Sequence, residues 1–299
     1  MANYDDIFKA PVERKPDQRP QRRVSNNPNW AAEQKAARED AYALADSTAA
    51  AICADGRRFR EYLDVQSRFI HYSATNALLI MAQQPQATRL RDKTGWAEMN
   101  YSIREGEKPI SIIKPGKSFQ REDESYGTYY NVRDVYDISQ TDAPQTQEPT
   151  VNYDERILLS ALISKRPVAI ELVDDLQGGG AVYDHAQGKI FMQRGMDAPD
   201  IFRSLSLALS RAQMAQKDQN YTNESAAFKS YCVSYVLGKK YGIDVSGYDF
   251  SRLPEELRTA DDKERRAVLN EIRDTVKTIS GRMERAMEQN KGRGNREER

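Results

Sequence analysis

The sequence predicts an α+β protein: N-terminal helices packed on antiparallel hairpins, then a second α+β domain, then a charged helical tail. Three observations predict this class. From position 29 to position 84 the apolar residues follow a helical pattern. The next stretches, NYSIREGEKPISIIKP and SYGTYYNVRDVYDISQT, have the composition and glycine punctuation of strands. After a Pro-, Gln- and Thr-rich linker, helix and strand patterns alternate again.

Length and composition divide the chain further. Its 299 residues suffice for two domains and a tail. Residues 1–28 are rich in Pro, Arg and Gln with few large apolar side chains, so we expect a disordered tail there. A first domain is predicted over 29–141, a linker over 142–150, a second domain over 151–250 and the helical tail over 251–299.

In the first domain, the Ala-rich stretch WAAEQKAAREDAYALADSTAAAIC predicts a helix with an Asn cap before Trp30. A second helix is predicted to start after Gly56, to continue into HYSATNALLIMAQQP, and to end at Gln84, since the residue before a proline avoids the α region. The strands that follow predict a hairpin within 100–115 that turns at Gly106, and a further turn at Gly127.

In the second domain, the order of predicted elements is a helix (DERILLSALISK), a strand (PVAIELV), a Gly-rich connection, a hairpin (AVYDHAQGKIFMQ) and two helices. The tail carries an apolar stripe at helical spacing. Such a stripe docks on its own domain or forms a coiled coil with a partner. Its members are Leu269, Ile272, Val276, Ile279, Met283 and Met287.

Charge is balanced over the whole chain, with 45 basic and 45 acidic residues, but it is segregated locally. Residues 56–121 carry 12 Lys and Arg against 6 Asp and Glu, and residues 122–162 carry 2 against 9. This pattern fits a nucleic-acid surface or two solvated faces. Two distant cysteines predict reduced, buried thiols. We expect a cytoplasmic protein without membrane contact, because no signal-peptide core or membrane-length apolar run is present.

The stretch HYSATNALLIMAQQP raises the main functional question, because polar side chains share a helix with core residues. At 100° per residue, Tyr72, Asn76, Leu79 and Gln83 fall on one face, with Ser73 beside them. Amides and hydroxyls can bond phosphates, sugars and base edges, and aromatic rings can stack on bases. The alternative is a polar network that joins the helix to the hairpins.

A longer segment around this stretch resembles the N-terminal domain of ArdC-type antirestriction proteins, which plasmids, conjugative elements and phages encode. The resemblance covers about residues 30–141. It departs from the family pattern at Ile103, where Val is usual, and at Tyr136, where Phe is usual. The matching positions are Phe69, Tyr72, Ser73, Asn76, Leu78, Leu79, Ile80, Gln83, Pro85, Ala87, Thr88, Trp96, Gly106, Glu107, Lys108, Ile110, Ile112 and Pro115.

The resemblance implies a domain that binds single-stranded DNA without sequence preference, in the setting of a mobile genetic element such as a conjugative plasmid. On this hypothesis cationic side chains neutralise phosphates, aromatic rings stack on bases, and polar groups orient the backbone. The candidate cations are Arg68, Arg89, Arg91, Lys93, Lys108 and Lys114. The candidate stacking rings are Tyr72, Trp96, Tyr129 and Tyr130. The candidate polar groups are Ser73, Asn76 and Gln83. For Gln66, Arg68 and Trp96 a structural role is the alternative.

The second half resembles, in element order and in the phrase KKYGIDVSGYDF, the metallopeptidase-like domain of the same proteins. A zincin site needs His-Glu-x-x-His on a helix. Here Ser206, Leu207 and Ser210 stand at the corresponding positions, and the only histidines are the distant His71 and His185. We therefore expect a metal-free, inactivated domain with no cofactor, no metal ligand and no catalytic residue, in a protein that is not an enzyme.

Other enzymatic signals are weak. The glycines at 178–180 lack the Lys and Ser/Thr of a phosphate-binding loop, Asp174 and Asp175 fit a solvated strand end, and Glu224 fits the first turn of a helix. Two alternative functions stay open. One is a residual hydrolase in the second half, and the other is an interaction scaffold that captures a protein partner through the tail helix.

Overall fold

The computed structural model describes residues 28–120, 126–144 and 153–297. The predicted tail up to residue 27 and most of the predicted linker lie outside this part of the chain. In the described residues, the first half contains four α-helices, a short 3₁₀ helix (Ile138–Gln140) and three strands. The α-helices and strands are α1 (Pro28–Ala54), α2 (Gly56–Arg68), α3 (Ala74–Gln83), β1 (Leu90–Arg91), α4 (Lys93–Ala97), β2 (Ile110–Gln120) and β3 (Tyr126–Asp137).

The second half continues with three strands and five helices in the described residues. They are α5 (Glu155–Ile163), β4 (Ala169–Val173), β5 (Ala181–Asp184), β6 (Lys189–Gln193), α6 (Ala198–Ala215), α7 (Asn223–Tyr241), α8 (Glu255–Thr259) and α9 (Asp262–Glu297). The α+β class is confirmed, and each element predicted for the second half is present.

The helix before the first sheet is broken where the sequence predicted continuity. α2 ends at Arg68, and α3 starts at Ala74 with Ser73 as its N-cap, whose hydroxyl accepts a hydrogen bond from the Asn76 N–H. Tyr72 therefore precedes the helix and does not share its face. The predicted end at Gln84 is confirmed within one residue. α1 begins at Pro28, so the predicted Asn cap lies inside the helix.

The first sheet is antiparallel in the order β1-β3-β2. The predicted hairpin within 100–115 is wrong, because β2 pairs with β3 and Ile103 forms only a bridge to Thr141. Gly106 does lie in a turn, at φ +82°, a conformation that favours glycine. Gly127 is not at a turn, since it pairs with Phe119 inside the β2–β3 hairpin.

The second sheet has the order β4-β6-β5, with β5 and β6 antiparallel as predicted and β4 parallel to β6. α6 packs on this sheet and on α7. Both helices have sequence-encoded starts, because Asp197 caps α6 and Thr222 forms a capping box with Ser225 at α7. α7 ends at Gly242, whose φ of +73° is the left-handed conformation typical of a helix C-cap.

α9 docks its apolar stripe on the protein itself, as one of the two predicted alternatives requires. All six stripe residues, from Leu269 to Met287, are buried. The helix packs against α5, α6 and α7 of the second half and against α1 and α3 of the first. The stripe is therefore part of the core and is not available to a partner.

The two halves also meet directly through α2 and α7. Gly56 begins α2 so close to the Phe250 backbone that an added Cβ would lie 1.7 Å from the Phe250 carbonyl oxygen. Cys53 and Cys232 are free thiols buried in the same core, and burial raises the pKa of Cys53 to about 11. No helix in the described ranges has the length and apolarity to cross a membrane.

Candidate nucleic-acid interface

Two amide side chains of α3 bond the outer edge of β2. Asn76 Nδ2 donates to the Ile113 carbonyl at 2.8 Å, and Asn76 Oδ1 accepts from the Ile113 N–H at 2.8 Å. Gln83 repeats this arrangement at Ser111, with its Nε2 3.0 Å from the carbonyl and its Oε1 2.8 Å from the N–H. The two side chains thus replace a neighbouring strand, because an amide offers both a donor and an acceptor.

The polar face of α3 is therefore the network that joins the helix to the hairpin. Asn76 is only 6% exposed, so its amide is not available to a ligand. Ser73 caps the helix, and the Arg68 guanidinium donates to the carbonyls of Ala87 and Pro85. For Ser73, Asn76, Gln83 and Arg68, the structure shows bonds within the protein where we predicted contacts to DNA.

Trp96 is also placed differently from the prediction. Its side chain has no exposed surface, and its indole N–H donates to the Tyr136 carbonyl at 2.9 Å. A base cannot stack on a ring that is covered on both faces. The prediction of a stacking platform at Trp96 is corrected: it belongs to the interior, which was its alternative assignment.

Tyr72 is half-buried beside the start of α3. Its ring meets Phe69 edge-on, with ring centroids 5.7 Å apart, and burial raises the pKa of its phenol. α9 fixes the adjoining backbone, because Arg273 donates to the carbonyls of His71 and Tyr72 at 3.0 and 2.7 Å. The loop that carries Tyr72 is thus braced by the C-terminal helix.

The remaining candidates lie at the surface. Arg89, Arg91, Lys93 and Lys108 are exposed, and Lys114 is partly exposed. The Arg91 guanidinium lies 5.9 Å from the centroid of the Trp96 ring. Tyr129 and Tyr130 are 54% and 46% exposed, the largest exposed fractions among the large hydrophobic side chains that the structure describes.

These tyrosines belong to the outer part of the β2–β3 hairpin, residues 114–120 and 126–133, which we call the outer hairpin. It begins one residue beyond Ile113, which Asn76 bonds, and it contains a register shift between Pro115 and Ser118. Because side chains alternate along a strand, Tyr129 points to one face of the hairpin and Tyr130 to the other.

Each face of the outer hairpin has its own composition. The Tyr129 face includes Arg133 and also Lys114, which pairs with Asn131. The Tyr130 face includes Pro115, its exposed cross-strand partner. Arg133 was not among our sequence candidates. Counting in steps of two from Tyr129 would have found it.

In the second half, the serines at the zincin positions are bonded inside the protein. Ser206 Oγ lies 2.7 Å from Ser234 Oγ, which in turn lies 2.6 Å from the Tyr248 hydroxyl. Ser210 Oγ donates to the Ser206 carbonyl at 2.6 Å. Ser206, Ser210 and Ser234 are fully buried, and burial raises the pKa of Tyr248. We call Ser206, Ser210, Ser234 and Tyr248 the serine network.

The donor set of this region does not fit a divalent metal ion. Neutral hydroxyls that already donate to carbonyls or to each other are poor ligands beside the imidazoles and carboxylates that a zincin uses. Leu207, at the position of the general base, lines an open cleft of about 650 Å³ next to α6. Within the described residues, no group of three or more His, Cys, Asp or Glu side chains is arranged to hold a metal.

His71, His185 and Glu224, which the sequence analysis also considered, are not part of the serine network. His71 is exposed in the loop before α3. His185 lies in the turn between β5 and β6, with Nδ1 3.3 Å from the Tyr183 hydroxyl and its ring against Tyr221. Glu224 is exposed in the first turn of α7, where its charge favours the helix terminus. The structure does not bring the histidines together.

Comparison with solved structures finds the antirestriction protein ArdC from plasmid R388. Its metal-free crystal structure is 14% identical, matches 73% of this chain and 86% of that chain, and gives a TM-score of 0.50. Its Mn(II)-bound structure is 13% identical, with shares of 72% and 85% and a TM-score of 0.50. The predicted resemblance is thereby confirmed for the fold. No protein-family model matches the sequence, and no curated protein matches it.

Proposed function

We propose that this protein binds single-stranded DNA without sequence preference, in the cytoplasm, as an antirestriction protein of a mobile genetic element. The observation that carries the proposal is the outer hairpin, which exposes Tyr129 on the face that also carries Lys114 and Arg133, and Tyr130 on the opposite face. Aromatic faces beside cations are what a single strand requires, because every base can stack and every phosphate is negative. The fold shared with an antirestriction protein supports the biological setting.

In this proposal the cations and the tyrosines of the surface have different roles. Arg133 and Lys114 neutralise phosphates, and the tyrosines stack on bases from the two faces of the outer hairpin. Asn76 and Gln83 contribute indirectly, because they hold β2 in place without contacting the strand. Arg89, Arg91 and Lys93 add positive charge at β1 and α4, which lie at the other end of β3.

The test is fluorescence anisotropy of the full chain with a labelled 20-nucleotide single strand and with the matching duplex, over a series of salt concentrations. The full chain is required because α9 packs on the first half. We expect preferential single-strand binding that weakens linearly with log salt. Tyr130→Ala should weaken it about tenfold, and Arg133→Gln should lower the salt slope by about 1.

Matched controls are Tyr42→Ala on α1 and Lys217→Gln after α6, since both residues are exposed and belong to neither face of the outer hairpin. Both controls should bind as the wild type does. Equal affinity for single strand and duplex, or no binding at 50 mM salt, would contradict the proposal.

We also propose that the second half performs no metallopeptidase chemistry. The bonding of the serine network supports this, because Ser234 on α7 bonds the Ser206 hydroxyl and the Arg203 carbonyl on α6 and so stabilises the contact between the two helices. Metal analysis of protein refolded with equimolar Zn²⁺ or Mn²⁺ and then desalted should find well below one ion per chain. Stoichiometric metal together with chelator-sensitive peptide cleavage would favour the hydrolase alternative.

A further inference from the structure

A second cavity lies at the end of β2 opposite the outer hairpin. Its volume is about 500 Å³, and it opens between the C-terminus of α3 and the turn that precedes β2. Gln84 and Gln83 form one side, Lys108 and Pro109 form another, and Gln140 closes the base. We call it the Gln84 pocket.

The walls of this pocket are held in place by hydrogen bonds. Gln83 is fixed, because its Nε2 donates to the carbonyls of Leu79 and Ser111. Gln140 Nε2 donates to the Lys108 carbonyl at 2.7 Å, and its Oε1 accepts from the Asp137 N–H at 2.8 Å. A pocket with fixed walls loses little conformational entropy when a ligand enters.

The two charged side chains that line the pocket, Glu107 and Lys108, differ in whether they are paired. The Glu107 carboxylate is engaged, because Arg104 contacts it at 2.8 Å and Gln140 donates to it at 3.2 Å. The Lys108 ammonium and the Gln84 amide have no hydrogen-bond partner within the described ranges, although neighbouring polar groups are paired. The pocket therefore offers one unpaired cation and one amide that can both donate and accept.

We propose that the Gln84 pocket binds one nucleotide of the single strand, an inference that rests on the proposed function. The Gln84 amide bonds the edge of the base, the Pro109 ring covers its face, and Lys108 contacts a phosphate. Unstacked bases are recognised in this way, through their edges and through apolar side chains. Ile110 and Pro115 are five residues apart on β2, so about 17 Å separates the pocket from the outer hairpin, a distance that a few nucleotides span.

The test uses the full chain with a labelled 12-nucleotide oligo(dT). Gln84→Ala should weaken binding about fivefold without changing the salt slope, because it removes a neutral hydrogen bond. Lys108→Gln should weaken binding and also lower the slope by about 1, and Lys108→Arg should restore the slope. Circular dichroism melting checks that each variant is folded, and Lys217→Gln and Gln289→Ala are controls on exposed helix surface.

The outcomes separate this inference from the proposed function. If Gln84→Ala and Lys108→Gln bind oligo(dT) like the wild type while Tyr130→Ala weakens binding, the pocket is not a strand subsite and the outer hairpin alone carries the function. If the wild type does not bind oligo(dT), both proposals are overturned. If free dTMP displaces the oligonucleotide with an affinity equal to that of oligo(dT), the pocket is a mononucleotide site, which also overturns the inference.

Discussion

The polar face of α3 and the polar face of α6 differ in what their side chains bond. On α3, Asn76 and Gln83 reach out of the helix and pair with the backbone of a strand more than 25 residues away in sequence. On α6, Ser210 bonds the carbonyl one turn back in its own helix, and Ser206 bonds the neighbouring helix. Asn76, Ser206 and Ser210 are buried, and Gln83 is partly buried.

The difference follows from side-chain chemistry. An amide on a flexible stem donates and accepts at once, so it can complete the exposed edge of a sheet. A hydroxyl is short and commonly bonds within its own turn, which makes it compatible with a tight helix–helix contact. Polar residues on a core helix thus do not by themselves identify a ligand site, and the exposed groups next to them are more informative.

Among the polar side chains, the largest effect is expected from Asn76→Ala. The buried N–H and carbonyl of Ile113 would both lose their partner, and two unsatisfied buried groups should cost about 3 kcal/mol of unfolding free energy. Asn76→Asp keeps the acceptor but sets a carboxylate against the carbonyl, so it should cost at least as much. The measurement is urea unfolding followed by circular dichroism. A loss below 1 kcal/mol would mean that water replaces the amide and that the edge is open.

A smaller effect, about 1.5 kcal/mol, is expected from Ser234→Ala. Ser234 bonds the Arg203 carbonyl, Ser206 and the Tyr248 hydroxyl. In Ser234→Ala, the Arg203 carbonyl would still accept a hydrogen bond from the Ser206 hydroxyl. Tyr248→Phe serves as the comparison, because it removes the group that Ser234→Ala leaves unpaired. The double variant should therefore cost little more than Ser234→Ala alone. Additive losses would show that the two hydroxyls act independently.

The sequence predicted the helices and strands better than it predicted which strands pair with each other. The α9 stripe and the strands of the second sheet follow from local patterns. The break before α3 was missed, because apolar spacing continues through it while Ser73 caps the new helix. The partner of β2 was also missed, since register between distant strands depends on packing that no local pattern contains.

The same limit applies to the candidate site. Asn76, Gln83 and Trp96 were singled out for chemical groups that do recognise nucleic acid, yet burial determines whether those groups are available. Tyr129 and Tyr130 were also candidates; their side chains are exposed, and their role in binding stays a prediction. Residue type could be obtained from the sequence, whereas accessibility required the fold.

Gln83→Ala removes the more exposed of the two amide contacts to β2. It should lower the unfolding free energy by about 1 kcal/mol, less than Asn76→Ala. Gln83 and Ser111 are only partly buried, so water can reach the released backbone groups. Gln84→Ala is the matched control, because that neighbouring amide has no partner in the described part of the chain. Its unfolding free energy should stay within about 0.5 kcal/mol of the wild type.

The smallest effect on stability is expected from Tyr130→Ala, which should change the unfolding free energy by less than about 0.5 kcal/mol. Nearly half of the side chain is exposed, so little apolar contact is lost on truncation. The same variant should weaken single-strand binding about tenfold, because stacking on an aromatic ring contributes about 1–3 kcal/mol per base. Tyr130→Phe should bind like the wild type, since the ring is kept.

Trp96→Ala completes the contrast between buried and exposed rings. It should destabilise the protein by about 3 kcal/mol or more, because the ring is buried and its N–H is bonded to Tyr136. A stable, folded Trp96→Ala protein with weakened binding would restore Trp96 as a binding residue. A Tyr130→Ala protein that is destabilised and still binds would assign the outer hairpin to the fold and direct attention to the cations of β1 and α4.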